Sequence, residues 1–202
     1  MRELNAAADP MLLADDIEVV LRSMRDKPFF AVAFFSTAHF PYAAPAPYYS
    51  KYTSAAYRGR FKYHKPLGLG AATELGPVAE DIRQIQQLYD GAVTSIDDAI
   101  GRVLRRLERL GLAERTVIVV TADHGETLFD DGHGQGHGDH LFGDEGTHVP
   151  LVIYDPRMQA KGARTSGADA SASGHRESRI VRDVDLAPTL YELAGMPPPT
   201  DL

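Results

Sequence analysis

From Val78 to Leu110 the apolar residues recur every three or four positions: Val78, Ile82, Ile85, Leu88, Ala92, Ile96, Ile100, Val103, Leu107 and Leu110. That spacing predicts one long amphipathic helix whose apolar stripe must be covered by other parts of the chain. Pro77 suits its start and Gly111 its end, and Arg102, Arg105, Arg106 and Arg109 crowd the last turns, where cations meet the helix dipole. Two β-branched runs follow, Thr116–Thr121 and Val149–Tyr154, and both read as buried strands. Ahead of the long helix, Pro10–Asp26 reads as a helix stopped by Lys27-Pro28, and Phe29–Phe35 as a strand apolar on both faces. A last helix is predicted over Asp183–Ala194, with Gly195 as its cap. Helix, strand, long helix, strand, strand, helix is an α/β order. It predicts a largely parallel sheet with helices on both faces and a site at the carboxyl ends of the strands.

The chain has 202 residues, 44% of them apolar and 24% charged, enough for one globular domain or a large piece of one. Its 21 basic and 28 acidic residues leave a net charge of −7, which argues against a general nucleic-acid binder. The excess of carboxylates fits a protein that binds a metal cation. The absence of cysteine excludes disulfides, zinc–thiolate sites and a cysteine nucleophile within this chain. The longest apolar run, Pro28–Phe35, falls far short of the roughly 20 residues of a membrane helix, and Met1–Asn5 leads into an acidic helix rather than reading as a secretory leader. Pro41–Leu75 and Lys161–Glu177 read as loops, the first long enough to be functional.

Chemistry concentrates after the strand at Val117–Val120. Thr121-Ala122-Asp123-His124-Gly125-Glu126 sets a carboxylate and an imidazole at a strand tip. These are donors that a borderline cation such as Zn²⁺ or Mn²⁺ accepts, whereas Ca²⁺ prefers oxygen alone. The same six residues also read as an ordinary Asp-His turn. Gly132 to His140 then carries four glycines and three histidines, read either as main chain that approaches an anionic ligand closely or as a merely polar loop.

The pieces together resemble the sulfatase branch of the alkaline phosphatase superfamily. The resemblance is carried by Pro28-Phe29-Phe30 through His39-Phe40-Pro41-Tyr42, by Tyr89-Asp90-Gly91 with Asp97-Asp98, and by Thr121–Glu126. It continues in His137-Gly138, Val149–Ile153 and Val184–Leu190 with Leu193-Ala194-Gly195, in order over roughly residues 28 to 199. It implies an alkaline-phosphatase-like three-layer α/β/α sandwich, mostly parallel and incomplete at both ends, with residues 1–202 as one partial catalytic domain. It implies a metal-dependent hydrolase of sulfate esters. Asp123 and His124 would hold a divalent metal, Mn or Zn rather than Ca on the donor chemistry. His39 and His137 would be catalytic and face the sulfate or phosphate group, and His148 would be a further substrate-binding residue. Glu126 reads as a residue that holds the loop, and Asp97 and Asp98 as helix packing and capping. His64 and His175 have no motif support.

The nucleophile pattern of the family, a Cys or Ser two residues before Pro, is missing, so the isolated chain is expected to show no turnover. Two alternatives follow. One is a phosphorus-ester enzyme of the same superfamily: a phosphonate or phosphodiester hydrolase, or a phosphoethanolamine-type transferase. The other is a non-catalytic remnant that binds an anion or a partner. The expected partner is a small-molecule or glycan ester, not nucleic acid. The family expectation for location is periplasmic, extracellular or membrane-anchored.

Overall fold

A computed structural model describes residues 9–63, 77–132, 134–137, 143–158 and 176–199. The chain divides into two compact units, Met1–Leu112 with Gly125–His148, and Ala113–His124 with Val149–Leu202. His64, His133, Gly138, His140 and His175 lie outside the described residues, as does most of the loop predicted at 161–177.

In the first unit α1 spans Pro10–Ser23 and α2 spans Ala79–Arg109. Asp9 caps α1 by accepting from Met11 N at 2.8 Å. The Asp81 carboxylate accepts from Val78 N at 3.2 Å and closes the first turn of α2. Gly111 ends α2 with φ at 68°, and Leu112 N returns to Leu107 O at 2.9 Å.

Arg106, on the last turn of α2, is buried and donates to Ala14 O and Asp15 of α1. Its Nε lies 2.6 Å from Glu18 Oε2. The hydrogen bond from Arg106 holds the Asp15 carboxyl below the usual carboxylate range, and the one from Arg22 does the same for Glu18.

The N-terminal half of α2 carries the core. Ile85, Leu88 and Ala92 pack with Tyr42, Ala44, Tyr57 and Phe61 from the long loop, so the loop predicted from Pro41 onward is ordered over its described part. Tyr48 O–H donates to Asp98 at 2.9 Å, which ties the Tyr48–Ser50 turn to the helix. A hairpin closes the cluster. Its strands β2 (Thr127–Leu128) and β3 (Gln135–Gly136) pair antiparallel, Thr127 opposite Gly136 and Leu128 opposite Gln135. Leu128 and Phe129 touch the core, and Gln86 N–H of α2 reaches Leu128 O at 3.0 Å.

In the second unit β1 (Ile118–Thr121) pairs antiparallel with β4 (Leu151–Tyr154), Ile118 opposite Tyr154. A short 3₁₀ turn at Asp183–Asp185 leads into α3 (Leu186–Leu193).

The mixture of helix and sheet is the expected α/β class. Two details differ. Both described ladders are antiparallel, where parallel pairing was expected. Phe29–Phe35 belongs to no ladder among the described residues. A strand exists only with a hydrogen-bonding neighbour, and here Phe30, Val32 and Phe34 stay 67–79% exposed. Among the described residues no helix is long and apolar enough to cross a membrane.

Ile85 is fully buried at the centre of the first unit. Ile85→Ala is expected to lower the unfolding free energy by about 2–5 kcal/mol, read from urea unfolding followed by circular dichroism. A change below about 1 kcal/mol would show that this cluster is not a packed core.

Candidate functional site

The strand β1 ends at Thr121, and Asp123 and His124 follow at its tip. Asp123 Oδ1 accepts from His124 N at 3.1 Å, and His124 Nε2 lies 3.8 Å from Asp123 Oδ2. Both side chains reach solvent, at 62% and 36% exposure. A carboxylate and an imidazole side by side suit a borderline divalent cation, but they are two donors of the four or more such an ion takes. Among the described residues no group of three or more His, Asp or Glu side chains is gathered to hold a metal.

Gly125 carries the chain into the other unit. Its N–H donates to Gly146 O at 2.9 Å, and a Cβ here would lie 1.8 Å from the Glu145 carbonyl oxygen. Only glycine permits that approach.

The first unit holds His39, His137 and His148. His39 and His137 meet edge to face, with ring centroids 5.2 Å apart and planes at 65°. They come from separate segments, the turn before Tyr42 and the residue after β3. His39 Nδ1 lies 2.9 Å from Phe40 O. A carbonyl only accepts, so Nδ1 carries the proton and Nε2 is left for other partners. His137 Nδ1 lies 3.4 Å from Glu126 Oε1. His148 is exposed and held by its N–H to Asp144 O at 2.7 Å. Its imidazole makes no hydrogen bond or ring contact with the His39–His137 pair among the described residues.

Of three residues behind the pair, the sequence did not single out Tyr42 and Gln135, and it read Glu126 only as a residue that holds its loop. Tyr42 is fully buried with φ at 57° and packs edge-on against Tyr89 at 5.4 Å. Gln135 Nε2 donates to the Tyr42 oxygen at 3.1 Å. Burial first, and then the Glu126 charge, push the Tyr42 phenol well above its usual range, so the hydroxyl keeps its proton. The Glu126 side chain is only 5% exposed. An aromatic beside Pro41 and a Gln within the glycine run were visible signals, but nothing in the spacing showed that they converge.

A protein-family model described as Sulfatase matches residues 4–196. The chain is 30% identical over 207 residues to the multifunctional alkaline phosphatase superfamily protein PehA of Trinickia caryophylli, covering 87% of this chain and 36% of that protein. It is 33% identical over 144 residues to iduronate 2-sulfatase of Mus musculus, covering 65% of this chain and 26% of that protein. Its fold superposes on a phosphonate monoester hydrolase from Silicibacter pomeroyi with a TM-score of 0.70 and 27% identity, over 95% of this chain and 39% of that one. The fold is therefore of the alkaline-phosphatase-like α/β kind, and the chain spans about a third of the length of PehA, at 36%.

The Tyr42 hydroxyl joins both histidine-bearing segments. Tyr42→Phe leaves the Gln135 amide short of a partner and is expected to cost about 1–3 kcal/mol. Urea unfolding of the two proteins side by side measures it, and an unchanged midpoint would mean that the hydroxyl ties nothing.

Proposed function

Because this chain belongs to the sulfatase family, we propose that it supplies part of the site of a metal-dependent hydrolase that cleaves sulfate esters. The observation that carries the reading is the His39–His137 pair, two imidazoles 5.2 Å apart, each engaged through Nδ1. Two rings this close, from separate segments of the chain, suit one tetrahedral oxyanion. Protonated on both nitrogens, such a ring can hold a nonbridging oxygen while it gains charge, or pass a proton to the leaving oxygen.

Asp123 and His124 would hold the divalent cation, together with donors beyond these two; Mn²⁺ or Zn²⁺ fits an imidazole better than Ca²⁺. When bound, such an ion supplies Lewis-acid polarisation of the ester oxygens. No nucleophile is assigned to a residue of this chain.

A second reading has its own support. PehA is named for the wider superfamily, and the Silicibacter pomeroyi hydrolase acts on phosphonate monoesters. A sulfate and a phosphonate monoester share the tetrahedral geometry that the histidine pair would meet.

The test is a rate comparison on the intact protein loaded with Mn²⁺ or Zn²⁺, using an aryl sulfate and an aryl phosphonate monoester. The sulfate is expected to have the higher kcat/KM, and His137→Gln is expected to lower kcat on it by roughly 10²-fold or more. A higher value for the phosphonate would replace the sulfate reading with the phosphorus one. An unchanged kcat in His137→Gln would remove the histidine from the chemistry.

A further inference from the structure

Between Asp26 and Glu74 the sequence holds no acidic residue, although the whole chain carries 28 of them and a net charge of −7. Lys51, Arg58, Arg60 and Lys62 fall in that interval, and so do six of the nine tyrosines. Tyr42, Tyr48 and Tyr57 pack into the core of the first unit. The other three, Tyr49, Tyr52 and Tyr63, face solvent at 38–59% exposure. We propose that these three rings, with Lys51 and Lys62, form a binding surface for a sulfated polysaccharide. The choice of ligand rests on the sulfate-ester reading above.

The rings are gathered and held. Tyr49 and Tyr63 meet edge to face, with centroids 6.2 Å apart. Tyr49 and Tyr52 lie three positions apart around the Tyr48–Ser50 turn, the spacing that aligns side chains on one side of a 3₁₀ helix. The Tyr52 hydroxyl is hydrogen-bonded to Thr94 Oγ1 of α2 at 2.9 Å, and Thr53 Oγ1 donates to Tyr49 O at 3.1 Å. A platform fixed in this way loses little freedom when a ligand settles on it.

Two of the rings carry a cation. Lys51 Nζ lies 5.5 Å from the Tyr52 centroid, and Lys62 Nζ lies 5.8 Å from the Tyr63 centroid. Among the described residues neither ammonium pairs with a carboxylate. The α2 carboxylates bonded to this loop, Asp81 and Asp98, accept from the Tyr57 and Tyr48 hydroxyls instead. An ammonium held only by a ring face gains a stronger partner when a full anionic charge arrives.

A pyranose ring offers an apolar C–H face and a rim of hydroxyl groups. The face stacks on an aromatic ring, and a sulfate on the rim takes the neighbouring ammonium. Several rings with cations between them suit consecutive sugars that repeat both features, which is a polymer rather than a single sugar. An anionic membrane fits less well. Surface-bound segments sink Trp, Phe or Leu into the lipid, and over residues 41–63 the large apolar side chains left exposed are the three tyrosines. Single-stranded nucleic acid also stacks on aromatic rings. The sulfate-ester reading selects the glycan between these two, and the experiment carries both.

Binding to the intact protein is measured by titration calorimetry at about 150 mM salt, where exposed charges are largely screened beyond about 8 Å. The probes are dextran sulfate, unsulfated dextran, an oligothymidylate and phosphatidylserine vesicles. Dextran sulfate is expected to bind most tightly. Tyr63→Ala removes a ring and no charge, and Lys51→Gln with Lys62→Gln removes two charges and no ring. Each is expected to weaken dextran sulfate binding roughly tenfold, with an unchanged circular dichroism spectrum. Full affinity in Tyr63→Ala would reduce the surface to bare charge and overturn the proposal. Full affinity in the lysine double variant would overturn it as well. So would tighter binding of the oligothymidylate or the vesicles. Turnover is not read, so a protein that binds dextran sulfate through these residues but hydrolyses no sulfate ester keeps the surface and loses the proposed function. An active esterase that ignores dextran sulfate keeps the function and loses the surface.

Discussion

Tyr42 is fully buried, and its hydroxyl accepts from Gln135. The histidine pair depends on that one group. The ring belongs to the core that packs on α2 (Ala79–Arg109), edge-on to Tyr89, and the chain reaches it from His39 through a backbone with positive φ. The hydroxyl then reaches across to the hairpin that carries His137. An apolar ring alone would fill the same space but would not join two segments almost a hundred residues apart in sequence. The hairpin that carries His137 is thus tied to the interior in steps: helix stripe, aromatic core, phenol, Gln135.

The chemistry is divided along the chain. The histidines and Glu126 belong to one compact unit, whereas Asp123 and His124 belong to the other with β1 (Ile118–Thr121). The chain passes from the second unit to the first between His124 and Gly125, where main chain approaches main chain too closely for any side chain. That passage explains why a glycine follows the Asp-His pair.

The parts of the fold set by local periodicity were legible in the sequence. The stripe from Val78 to Leu110 became α2, and the β-branched runs became β1 and β4 (Leu151–Tyr154). Phe29–Phe35 shows the limit of that reading. Its composition states that it prefers a covered, extended conformation, but a ladder needs a neighbour that composition does not supply. The site divides the same way. His39, His137, Asp123 and His124 were found through motifs. Tyr42 and Gln135 were not, and Glu126 was read only as a residue that holds its loop, because their places come from the register of a two-residue ladder and from a loop packing on a helix. Both are non-local facts that spacing along the chain does not encode.

The central claim is that His39 and His137 are held together as one receptor for a tetrahedral oxyanion. The most direct measurement is a crystal structure of the intact protein with inorganic sulfate at its site. In crystals grown below the usual imidazole range, where both rings carry a proton on each nitrogen, the account predicts sulfate oxygens within hydrogen-bonding distance of Nε2 of both histidines, with Nδ1 of His137 on Glu126 and Nδ1 of His39 on the Phe40 carbonyl. A sulfate bound away from both rings, or two histidines that have separated while the core around Tyr42 stays in place, would contradict it.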